Sequence, residues 1–284
     1  MIDLVEARVI AEQIAGNLLG RRIVAAELAE RRKRSYRDAY LLRVTPEAFR
    51  ERLEGATLSE AYAKYRHICL ETDAGHGVDL WDIYGKVLYI APGAKSPGHP
   101  PIVLVLDDGS RLIVLPGVFG QMRLRPNEAL RTFRDGSDPD VLDATSEAFT
   151  VEALQRFLAL EAFQGMIIKR VITKTDRPGI MSVMGVYSQE ALYRAGIHPK
   201  RKAHSLTDAE CVALHRAISD VIRDAMAVGG RASERNLFDQ PGGFTATVSR
   251  ETEGTPCPAC GTAIAEIKLG GAGKYYFCPG CQVL

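Results

Sequence analysis

The spacing of apolar residues changes twice along the chain. Ile10, Ile14 and Leu18 recur every four residues, which places them on one face of an N-terminal helix, and Gly20 lies where a C-terminal cap belongs. From about residue 23 to 125 the pattern shortens to β-rich runs broken by turns. Examples are His67–Glu71, Val87–Ile90, Ile102–Leu106 with the turn Asp107-Asp108-Gly109, and Leu112–Leu115. These runs predict a β-sandwich or barrel. A polar linker follows, Arg134-Asp135-Gly136-Ser137-Asp138-Pro139-Asp140, and helical spacing then returns. Its clearest stretch runs from Thr207 to Val228. Thr207 and Glu210 form a capping box, Leu214, Ile218, Val221, Ile222 and Ala225 line one face, and Gly229-Gly230 ends it.

The chain's 284 residues suffice for two modest cores, or one with an appendage. No apolar run approaches the roughly 18–20 residues of a membrane span, so a protein without a membrane role is expected. The net charge is only +1, so a nucleic-acid partner requires localised positive charge. The densest basic cluster is His198-Pro199-Lys200-Arg201-Lys202. Read as a bare charge run it is solvated surface. Cys69 and Cys211 sit in apolar surroundings, which fits a reducing cytosol and not a nucleophile. No secretory leader is expected ahead of residue 1, which also points to the cytoplasm.

The remaining four cysteines form Cys257-Pro258-Ala259-Cys260 and Cys278-Pro279-Gly280-Cys281, two C-x2-C pairs. Their separation matches a four-thiolate zinc ribbon, with Pro and Gly shaping the knuckles and Lys274–Phe277 as a strand into the second pair. The alternatives are disulfides, disfavoured in a reducing compartment, or a knob without metal. A four-thiolate site has no open coordination position, so one Zn2+ per chain is expected to hold structure.

Several motifs resemble the formamidopyrimidine-DNA glycosylase / endonuclease VIII family of base-excision repair. Met1-Ile2-Asp3-Leu4-Val5-Glu6 is similar to the family's M-P-E-L-P-E start, Ala63-Lys64-Tyr65 to its G-K-Y/F strand, and Phe119-Gly120 to the end of its R-R-F-G loop. Ala195-Gly196-Ile197-His198-Pro199 matches A-G-I-H-P of the helix–two-turn–helix segment, and the closing C-P-x-C-Q is present through Gln282. The resemblance spans essentially the whole chain. It implies an α+β multidomain protein: an N-terminal helix plus β-sandwich (1–134), a helix–two-turn–helix domain (141–240) and a zinc ribbon (241–284). It further implies a monomer, associated with the nucleoid, that binds double-stranded DNA carrying a lesion or abasic site.

The departures bear on chemistry. Relatives use the amine of an N-terminal proline, exposed by methionine removal, to attack the sugar C1′ and form a Schiff base. Ile2 stands there instead. A bulky second residue normally leaves the initiator methionine attached, which assigns the free amine to Met1 and leaves a processed Ile2 amine as the alternative. Asp3 replaces an essential glutamate and is one methylene shorter, while Glu6 and Lys64 are retained. Asp3 and Glu6 also admit a plain reading as charges favouring the helix N-terminus.

For DNA grip, Gly185 falls at the family's phosphate-binding asparagine, with Ser182 nearby as a substitute. Gly273, beside Lys274, falls at its ribbon arginine. Ile83, Val118 and Phe119 take the positions of side chains that fill the duplex when a nucleotide is flipped. Lys64, Lys200, Arg201, Lys202 and Lys274 are expected to converge on one face at the cleft between domains. Two functions follow: a DNA glycosylase/abasic-site lyase with an altered active site, or a catalytically silent binder of damaged or distorted nucleic acid.

Overall fold

The computed structural model describes residues 1–29, 44–98, 100–116, 120–136, 141–177, 179–270 and 274–284, with Pro116 described by its backbone. It divides into two compact units, Met1–Gly136 with Val228–Gly243, and Ser137–Ala227 with Phe244–Leu284. The sequence carries the middle segment on to residue 240; here residues 228–243 pack with the first unit. No helix among the described residues is long and apolar enough to cross a membrane.

The first unit opens with α1 (Leu4–Leu18) and continues through β1 (Ile23–Leu28), α2 (Pro46–Leu53), β2 (Leu58–Lys64), β3 (His67–Thr72), β4 (His76–Trp81), β5 (Gly85–Ile90), β6 (Ile102–Leu106), β7 (Arg111–Pro116) and β8 (Gln121–Pro126). The strands form two antiparallel four-stranded sheets, β1-β6-β7-β5 and β2-β3-β4-β8. Ile10, Ile14 and Leu18 of α1 share one core with Ile23, Leu104 and Val114 of the first sheet and with Ile68, Leu70 and Leu80 of the second. Two sheets around a common core make a sandwich, which settles the choice against a barrel.

The second sheet's outer face is polar because alternate residues point away from that core. His67, Cys69 and Glu71 alternate with Ile68 and Leu70, and the last strand is α3's lead-in. Helix α3 (Asn127–Asp135) covers this face. Sequence spacing placed a linker from Arg134, but α3 continues through Asp135. Its apolar contacts are Leu130, which is buried, and Phe133, which packs on the His67 ring, within a helix of nine residues. Leu130 sits so close over Gly77 that a Cβ there would lie 2.6 Å from its Cδ1 and 2.1 Å from the Leu70 carbonyl oxygen. Only glycine fits.

The second unit holds α4 (Val151–Leu158), α5 (Ile168–Ile172), α6 (Gly185–Arg194) and α7 (Asp208–Ala227), then β9 (Ala265–Lys268) paired antiparallel with β10 (Lys274–Phe277). The five apolar residues assigned to one face of α7 are all buried. Its capping box is present: Thr207 N donates to Glu210 Oε2 at 2.8 Å and Glu210 N to Thr207 Oγ1 at 3.2 Å.

The A-G-I-H-P segment ends α6 in a Schellman turn. Gly196 adopts φ +66°, its N–H donates to Tyr193 O, and Ile197 N donates to Leu192 O. Tyr276 N donates to Gln189 Oε1, and Gln282 bridges Cys278 N to Ile197 O, so buried amides fasten the ribbon to this turn.

Candidate active site

Asp3 is the N-cap of α1, and Glu6 completes a capping box with it. Asp3 Oδ1 accepts from Leu4 N at 2.8 Å, and Glu6 Oε2 accepts from Asp3 N at 3.0 Å. Both carboxylates are buried, Asp3 with no exposed surface. The plain reading of the pair as helix-terminal acids is therefore correct as far as it goes. Burial pushes the Asp3 carboxyl up to about 6, with the Arg231 guanidinium opposing and the Glu6 carboxylate adding to the rise. Asp3 Oδ2 has no hydrogen-bond partner.

Two residues missed in the sequence complete this corner. Arg231 donates from its backbone N and Nε to Glu6 Oε1 (3.1 and 3.2 Å) and from Nη2 to Glu6 Oε2 (3.2 Å) and to the Met1 carbonyl oxygen (2.5 Å). Glu234 Oε1 lies 2.7 Å from the Met1 nitrogen. On the other side of residue 1, Arg66 Nη1 lies 3.4 Å from Met1 Sδ and its Nη2 lies 2.5 Å from Asp82 Oδ1. Arg231 and Glu234 carry no apolar period, and their partners lie 225 and 233 positions away. The Gly229-Gly230 stop signal marked the loop's start without revealing its role.

Ile2, the position to which the resemblance would give the amine, is closed. Its side chain is 2% exposed and its N–H donates to Ile83 O at 2.9 Å. Ile83 itself is 1% exposed within the core. A residue that fills a void in DNA has to protrude, so Ile83 is a core residue here and not a wedge. Val118 and Phe119 lie outside the described residues.

Lys64 Nζ donates to the carbonyl oxygens of Phe133 (2.5 Å), Arg134 (2.7 Å) and Gly136 (2.8 Å). It thus serves as a cationic cap on the last turn of α3.

In the second unit the four ribbon sulfurs lie within 4.8 Å of one another. Cys260 and Cys278 Sγ are 3.4 Å apart and Cys257 and Cys281 Sγ 3.7 Å. A disulfide needs about 2.05 Å, whereas sulfurs about 2.3 Å from one tetrahedral ion stand roughly 3.8 Å apart. The four cysteines can bind a metal ion. Tyr193 OH lies 3.2 Å from Cys257 Sγ, in reach of a ligand sulfur.

The profile of the formamidopyrimidine-DNA glycosylase N-terminal domain matches residues 1–122, and that of its H2TH domain matches residues 141–236. The chain is 30% identical over 288 residues to the formamidopyrimidine-DNA glycosylase of Geobacter sulfurreducens, covering 99% of this chain and 100% of that one. The chain belongs to the formamidopyrimidine-DNA glycosylase family.

The Roseiflexus formamidopyrimidine-DNA glycosylase is likewise 30% identical over 290 residues. Lactococcus lactis Fpg in complex with abasic-site DNA shares the fold, with a TM-score of 0.82 at 20% identity over 99% of this chain and 100% of that one. The same enzyme bound to DNA containing N7-benzyl-Fapy-dG aligns at 0.83.

Within this family framework the expected phosphate-gripping positions look different. Gly185 starts α6 at φ +52° and has no side chain to offer. Ser182 is buried, in a left-handed turn whose N–H donates to Lys174 O. Neither presents a side chain to solvent. Arg201 pairs through both terminal nitrogens with Glu210, Lys202 Nζ donates to Gly165 O, and Lys274 pairs with Glu266 at 2.5 Å. Lys200 is exposed and has no ion pair among the described residues. His198 is turned inward, its Nδ1 accepting from Lys200 N. A cavity of about 750 Å³ between α4 and the start of α7 holds none of the residues expected to act.

Proposed function

We propose that this chain is a DNA glycosylase/abasic-site lyase of base-excision repair that acts on double-stranded DNA through the primary amine of Met1. One observation carries the reading: at the head of α1, in a family defined by N-terminal amine chemistry, the residue-2 nitrogen is bonded to Ile83 O while residue 1 is held by contacts at both its nitrogen and its carbonyl. The amine lone pair attacks C1′ of the sugar. The carbinolamine from an abasic aldehyde loses its hydroxyl, with a proton, as water and leaves an iminium ion. That ion acidifies the C2′ hydrogen, and its loss with departure of the 3′ phosphate cuts the strand. Asp3, with a carboxyl at about 6 and an unpartnered Oδ2, is suited to exchanging a proton near neutral pH, whereas Glu6 is a scaffold whose oxygens are both engaged.

Zinc is the metal we assign to Cys257, Cys260, Cys278 and Cys281, since four thiolates favour it and leave no position for catalysis. The ion would hold the ribbon against the A-G-I-H-P turn, beside the exposed Lys200.

Borohydride trapping on an abasic duplex tests the reading. The expected result is a covalent adduct that maps to Met1 and disappears when the N-terminus is acetylated. Tight binding of abasic DNA without any adduct overturns it in favour of the silent binder, a reading favoured by the buried, capped state of Asp3 and Glu6.

A further inference from the structure

We infer that Glu234 takes the proton from the Met1 ammonium, and that Arg231 is the positioning residue that holds residue 1 in place for it. The inference rests on the amine reading above and deepens it. An ammonium has no lone pair, so the nucleophile needs a proton acceptor within hydrogen-bond reach. Among the described residues, Glu234 is the carboxylate that touches the amine, at 2.7 Å, in a contact only 13% exposed on the Met1 side and 18% on its own. Of the two acids of the N-terminal motif, Glu6 is engaged by Asp3 N and Arg231, whereas Asp3 caps the helix end through Oδ1 and keeps Oδ2 for the later proton exchange proposed above.

Arg231 ties these parts together. Its Nη2 reaches both the Met1 carbonyl and Glu6, and lies 3.7 Å from Glu234 Oε1. This fixes the peptide that follows the amine and leaves the nitrogen directed at Glu234. Gly230 makes the approach possible. It adopts φ +90°, and a Cβ there would stand 3.0 Å from Glu6 Oε1.

The proton balance closes. Glu234 accepts one proton as the amine is freed, the amine adds to the sugar aldehyde, and the acid returns that proton to the departing hydroxyl, which leaves as water. The iminium carries the positive charge that the ammonium began with.

Glu234→Gln keeps the shape and an accepting oxygen but cannot take a proton. Its single-turnover trapping rate on abasic duplex should fall on the order of 100-fold at neutral pH and climb steeply with pH as solvent base substitutes for the carboxylate. The Kd for the same duplex should match wild type, while the melting temperature falls modestly because the ion pairs of Glu234 with Met1 and Arg231 are lost. Glu234→Asp, shorter but still a base, should fall between the two. Trapping of Glu234→Gln at the wild-type rate with the adduct on Met1 overturns the inference and leaves the amine reading standing. So does a Glu234→Asp rate below that of Glu234→Gln. A wild type that binds abasic duplex and gives no adduct overturns both.

Discussion

Asp3 shows how one side chain can serve a helix and bear on chemistry in opposite senses. As N-cap it accepts a backbone hydrogen bond, and as a buried carboxyl its ionised form is disfavoured. A carboxyl at about 6 when folded, above its ordinary 3.8, binds its proton more tightly folded than unfolded. The resulting stability is fully present below about pH 4 and is lost as pH rises from about 4 to 6. Asp3→Asn keeps a capping oxygen and removes the buried charge, so its melting temperature at pH 8 should equal or exceed that of wild type. Asp3→Ala loses the cap and should cost about 1 kcal/mol in denaturant unfolding. If the carboxyl moves protons in the reaction, both variants lower trapping even though their stabilities diverge.

Among the elements, those whose pattern repeats within themselves were legible. α1 shows three apolar residues at four-residue spacing and α7 five on one face, and two apolar runs flank the turn Asp107-Asp108-Gly109. The two C-x2-C pairs needed no structure to be paired with each other. α3 was not legible because it is short and is seated by Leu130, by Phe133 against the His67 ring and by the Asn127 amide, partners that lie far off in sequence. The Lys64 cap was not either, since a lysine on a strand bears no mark of the helix end it will meet. Ile83 shows the reverse error: a position matched by family register turned out to be a core residue. The ribbon offers a clean test of its element. Removing metal with a chelator should release one zinc per chain and unpair β9 from β10, seen as loss of amide protection at Tyr275 and Tyr276. Amide protection in β1 to β8, in the other unit, should remain. An apo protein with an intact ribbon contradicts the assignment.

For the whole molecule, a net charge of +1 means that attraction to DNA depends on which cations are unengaged. Arg201 and Lys274 already face carboxylates, and Lys64 faces three carbonyls. Duplex binding should still weaken with salt, but by fewer ions than five cations imply. Lys200→Ala should flatten the slope of log K against log salt by about one. Arg201→Ala should change that slope less while lowering the melting temperature, because it leaves Glu210 unpaired. Equal changes in slope from the two variants would contradict this division of labour.

The long reach of the 228–243 segment also orders events during synthesis. The sandwich's two sheets, α1 and the capping box are complete once residue 136 has left the ribosome. Two of the groups that hold residue 1, Arg231 and Glu234, and Leu237, which joins the same core, are translated only after α4 to α7. A nascent chain therefore has Arg66 beside residue 1 early and gains Arg231 and Glu234 only after α4 to α7 have been made. Premature release at any earlier codon yields a product with a loose amine and no Glu234 beside it. On the amine reading proposed above, the chain gains its proton acceptor only after its helical unit has been made.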